Sequence, residues 1–156
     1  MTNRALPHTP YITAVETALT QAALTPQQAD AFVEDSYDVP HLRGVITITP
    51  ETCDIPADRW PHGLLLAWDW HTGRDDDYYD RGPVWQWARL NGDGSSRSLE
   101  PLPVPGWVAP AMLAAVAATL AYTGKLAPMG SLWHDDLRTP VETAIEQWAA
   151  DEEKAS

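Results

Sequence analysis

The chain has 156 residues, 44% of them hydrophobic, with a formal net charge of −12 and a single cysteine. One domain of this size buries roughly 70% of its unfolded surface and needs no staple, and the lone Cys53 excludes an internal disulfide and suits a reducing compartment. The few lysines and arginines are scattered singly, which excludes a conventional phosphate-binding patch, so no direct nucleic-acid binding is expected.

The opening Met-Thr-Asn-Arg-Ala-Leu-Pro-His lacks the apolar core of a signal peptide. The longest uncharged run, Pro101 to Gly124, is broken by prolines and leaves roughly 14 helical residues against the ~20 that cross a bilayer. A soluble, cytoplasmic protein with no membrane contact is expected, a single domain over 1–156 with 1–8 and 152–156 frayed. Arginine outnumbers lysine eight to two, and alanine and tryptophan are frequent, as in a GC-rich source, with a phage or plasmid accessory as one origin.

Three Thr-Pro pairs, Thr9-Pro10, Thr25-Pro26 and Thr139-Pro140, offer a hydroxyl N-cap followed by proline at the first helical position. Gln28 and Glu142 complete capping boxes at the second and third. The first helix is expected over Pro10 to Leu24, with Tyr11, Val15, Ala18, Leu19 and Ala22 on one face. A second, short helix is expected from Pro26 to Glu34. Strands follow at 44–50 (GVITITP), 63–72 and 83–90, the last two as arms of a hairpin, and RSLEPL supplies a fourth, outer strand. Pro101, Pro103 and Pro105 then deny backbone donors, which suits an edge. Residues 110–123, PAMLAAVAATLAYT, carry no charge and read as a helix buried on most sides, stopped by Gly124. A last helix starts at Pro140. The order defines an α+β fold: an antiparallel three- to four-stranded meander flanked by N-terminal and C-terminal helices.

The hairpin concentrates the candidate chemistry. Leu64, Leu66, Trp68 and Trp70 share one face of its first arm, and Trp85, Trp87 and Arg89 one face of its second. With Trp70 opposite Trp85 and Trp68 opposite Trp87, four indoles form one cross-strand cluster. Two uses are open: a plain core, or a half-open groove in which Trp68, Trp70, Trp85 and Trp87, beside Asp69 and His71, bind a planar ligand or a sugar. Between the arms, Arg74-Asp75-Asp76-Asp77-Tyr78-Tyr79-Asp80-Arg81 sets four mutually repelling carboxylates around two tyrosines, a side chain favoured in protein contacts. It reads either as a solvated hairpin tip or as a partner-binding loop.

Other chemistry is missing by pattern. A calcium loop beginning at Asp75 would need glycine at its sixth position and glutamate at its twelfth, where Asp80 and Gln86 stand. His62, and His134 with Asp135 and Asp136, lack a recognised metal-ligand spacing. Ser131 has no nucleophile elbow, Glu51 and Asp54 would raise rather than lower the Cys53 pKa, and Gly92 and Gly94 precede no helix that could cradle a phosphate. No catalytic residue, metal or cofactor is assigned.

The segments PYITAVETAL (10–19) and HGLLLAWDWHTG (62–73) resemble the opening helix and the Leu-x-Trp-Asp strand of small actinobacterial proteins grouped as a domain of unknown function. The resemblance spans about a quarter of the chain. It implies an α+β fold and carries over no catalytic residue. The Asp-rich loop and the region after Leu90 have no counterpart. The leading expectation is a non-catalytic interaction protein that binds a protein partner through the 73–82 loop and the adjacent indoles. The alternatives are an acidic decoy that mimics nucleic acid and a small-molecule or sugar binder.

Overall fold

A computed structural model describes residues 6–34, 41–71, 84–93, 95–104, 107–126 and 143–147. The elements are α1 (Thr9–Gln21), β1 (Gln28–Glu34), β2 (His41–Ile48), β3 (Leu64–His71), β4 (Val84–Arg89), β5 (Glu100–Pro101) and α2 (Pro110–Thr123), with a helical turn at 143–147. The fold is α+β: a five-stranded antiparallel sheet, with strands in chain order, flanked by N- and C-terminal helices. No helix among the described residues is long and apolar enough to cross a membrane.

Residues 26–34 correct the expected second helix. Thr25-Pro26 caps nothing helical; the chain enters β1, and all seven of its residues pair with β2 from Gln28↔Thr47 to Glu34↔His41. The sequence QADAFVE alternates Gln28, Asp30 and Phe32 with Ala29, Ala31 and Val33, a period of two that suits a half-buried strand. Ala29, Ala31 and Val33 pack against the core. Tertiary pairing thus overrides the helix propensity of alanine and glutamine.

Helix α1 starts one residue earlier than its Thr-Pro signature implies. His8 is the N-cap, and its carbonyl accepts from Tyr11 and Ile12, while no side chain caps the end. The other end closes as a Schellman motif: Leu24 N–H donates to Leu19 O (2.8 Å) and Ala23 N–H to Thr20 O (3.2 Å). Ala23 takes the left-handed conformation there, with φ +64°, and Leu24 and Leu19 are both fully buried.

The helix lies directly on the sheet at Gly44, where a Cβ would overlap the Ile12 side chain. Around this contact, β2 buries Leu42, Ile46 and Ile48, and β3 buries Leu64, Leu66, Trp68 and Trp70. Helix α2 packs beside α1, burying Leu113, Val116 and Leu120 while Ala111 and Ala115 face solvent. Its expected burial on most sides holds, with only Ala111, Ala115, Tyr122 and Thr123 exposed; alanine's small side chain makes the narrow outer face cheap to expose. Gly124 ends α2 in the left-handed conformation, as its position implied.

The 49–63 connection is pinned to the same end of α2. Trp60, 1% exposed, donates its indole N–H to Ala121 O (2.7 Å), and Arg59 fills the space beside Gly124. Gly63, at φ +112°, brings the chain so close to Ile48 O that a Cβ has no room. After β4, a turn closed by Asn91 N–H to Ser95 O (2.8 Å) returns the chain along β4. Only Glu100 and Pro101 form a strand there, because Pro101 and Pro103 have no amide hydrogens.

Candidate functional site

The expected indole register is displaced by two residues. Trp68 pairs with Trp85, and Leu66 with Trp87, so Trp70 has no indole opposite it. An even displacement leaves every side chain on its expected face. That face is the one under the helices. Trp68 is fully buried, Trp85 is 2% and Trp70 5% exposed, and Trp87 is half-buried. The half-open aromatic groove is thereby corrected to an enclosed core.

Its centre is a ring assembly joining the sheet to α1 and to the segment that leads into α2. Tyr11 donates to Val108 O (2.6 Å) and accepts from the Trp85 indole (3.3 Å). The Tyr11 ring meets Trp107 edge-on at 5.1 Å, and Trp107 lies 5.5 Å from Trp68. His8 stacks on Trp68 at 5.4 Å and 15° and joins the core rather than a frayed end. Its Nε2–H donates to Arg43 O (2.8 Å), while Nδ1 finds no partner among the described residues. Burial holds its pKa below the usual histidine value, against the raising effect of nearby backbone carbonyls. The ring is a structural, neutral imidazole.

Among the described residues no helix packs on the opposite face of the sheet. Asp69 lies there, paired with Arg43 across β2 and β3 at 3.6 Å. His71 ends β3. The 74–81 segment, with Arg74, Asp75, Asp76, Asp77, Tyr78, Tyr79, Asp80 and Arg81, lies outside the described residues, as do Ser131, His134, Asp135 and Asp136.

This face carries a shallow trough of about 680 Å³. Phe32, Val45, Leu65 and Leu90 make its apolar floor, with Gln28, Asp30, Thr47, Ser95 and Ser96 around them. A second recess of about 420 Å³ shares Gln28, Thr47 and Leu90 with it and continues toward Glu51, His62 and Asn91. Gln27 donates to Glu51 in the wall of this second recess (3.4 Å). Among the described residues both linings contain carboxylates, amides and hydroxyls and no lysine or arginine. Such a lining disfavours an anion and suits a neutral or cationic group lying on an apolar floor. Val84, 41% exposed, stands opposite Asp69 at the other end of β4.

Among the described residues no three His, Cys, Asp or Glu side chains come together as a metal site. Cys53 is half-buried, and burial first, then the neighbouring Asp54, pushes its thiol pKa up, so the sulfur is a poor nucleophile. The trough was missed from sequence because its outer wall is β1, expected as a helix. The alternation in QADAFVE was the available signal. No family model, curated protein or solved structure matches this chain.

Proposed function

We propose that this protein is a non-catalytic protein-binding module that holds a cationic protein partner on the open face of its sheet. The hairpin loop 73–82 is the second contact in this reading. The observation that carries it is the sheet face on which no described helix packs: a trough floored by Phe32, Val45, Leu65 and Leu90, with Asp30 at its rim and Glu51 in the adjoining recess, and with no lysine or arginine among the described residues of its lining. An apolar strip inside a polar rim is the ordinary anatomy of a docking surface. The chain's charge of −12 favours a basic partner through steering and complementarity. The decoy alternative draws on charge alone. Exposed carboxylates among the described residues come from separate elements, such as Asp54 in the 49–63 connection, Asp93 in the turn after β4, Glu100 in β5 and Glu146 in the last helical turn.

The test uses a partner captured from lysate, then purified and titrated by calorimetry. Leu65→Arg, which sets a cation on the floor, should weaken binding at least about tenfold with little change in melting temperature, since most interface energy sits in a few central residues. Replacing Asp75, Asp76, Asp77 and Asp80 with serine should weaken it further. A captured protein indifferent to both changes would remove the reading.

A further inference from the structure

The two edges of the sheet are built differently. β5 has two residues and a proline, the short, donor-poor edge by which proteins block strand addition. β1 has seven residues in continuous register with β2, no bulge, no proline and no lysine. Among the described residues no strand pairs with its outer side. A long, regular edge without blocking devices is a template for another strand.

Charge says what kind of strand. Asp30 stands exposed at the middle of the edge, with the Gln28 amide donating to its carboxylate. The nearest cation across the ladder, Arg43, is engaged with Asp69. In sequence the chain continues through Glu34 to Asp35 and Asp38. A second copy of this chain is a poor occupant. It brings another −12, and antiparallel self-pairing centred on Ala31 would make the two Asp30 carboxylates diagonal neighbours.

We propose that β1 is the acceptor edge for an extended basic segment of the partner, which joins the sheet as a sixth strand. This rests on the protein-binding reading above and names how the partner enters. On the trough side, the added strand sets lysines or arginines beside Asp30, their aliphatic stems lying along Phe32. On the helix side, its alternate residues are small or β-branched, to lie beside Ala29, Ala31 and Val33. Main-chain hydrogen bonds supply affinity, and the alternation supplies specificity.

The experiment uses the full chain and a seven-residue peptide of alternating lysine and valine, with blocked ends. Two controls replace lysine by glutamate, or methylate the peptide nitrogens at alternate positions. Amide hydrogen exchange is read by NMR at residues 28–34. The lysine peptide should slow exchange in β1 at least about tenfold, the measure of newly paired backbone. Both controls should leave it unchanged, and Asp30→Lys should weaken the peptide about tenfold. Equal binding of the methylated peptide, or protection confined to residues outside β1, overturns the inference. Partner capture lost in Leu65→Arg but intact in Asp30→Lys sinks the edge and leaves the open-face reading standing. Capture indifferent to Leu65→Arg, Asp30→Lys and the loop substitutions sinks both.

Discussion

Ala23 and His8 show how single residues absorb costs that the fold imposes. The Schellman end of α1 places Ala23 at φ +64°, where an L side chain costs roughly 1–2 kcal/mol and glycine nothing steric. Ala23→Gly should therefore raise stability by up to about 1 kcal/mol in urea unfolding, part of the gain being lost to the looser unfolded chain. A loss would mean that the Ala23 methyl contributes packing. His8 bears on pH. Its folded pKa lies below the unfolded value of about 6.5, so the unfolded state binds more protons between the two, and stability rises with pH there. The contribution is complete above about pH 6.5 and fades as pH falls toward the folded pKa. His8→Phe keeps a ring against Trp68 and removes the proton site. Wild type should lose more stability than this variant between about pH 7 and 5, measured by denaturant midpoints at each pH. Parallel pH curves would contradict a buried neutral imidazole.

At the scale of elements, the 49–63 connection is the segment whose role composition hides. Trp60 was one tryptophan among eight, yet it fastens this loop to the end of α2 and meets Trp87 edge-on at 6.0 Å, with the Arg89 guanidinium over its ring at 5.1 Å. Trp60→Phe keeps an aromatic filler but leaves Ala121 O without its donor, at about 1–3 kcal/mol. Thermal unfolding should show the loss. The strands β2, β3 and β4 were legible because β-branched alternation and indoles two residues apart fix a face. The shift of the indole register was not legible, since any even displacement satisfies the same pattern and the deciding contacts come from the distant Trp60 and Trp107. For β1, the Thr-Pro cap signature pointed one way and the weaker alternation of Ala29, Ala31 and Val33 the other; seven paired residues decided it. The open trough joins residues as far apart in sequence as Phe32 and Ser96, so no short motif could announce it.

Across the whole molecule, strand order equals chain order, so every strand pairs with its predecessor. The helices do the reverse: Tyr11 reaches Val108 across 97 positions, and Tyr122 reaches Ala23 across 99. A growing polypeptide emerging from the ribosome can therefore zip its meander strand by strand, while α1, synthesised well before Trp107 and α2, keeps part of its apolar face uncovered until they appear. Nascent chains stalled just after Arg89 should yield α1 to limited proteolysis, and chains that expose residues to Lys125 should protect it. Residues beyond 107 shelter a helix made some hundred positions earlier, so α1 waits for them before it has a home.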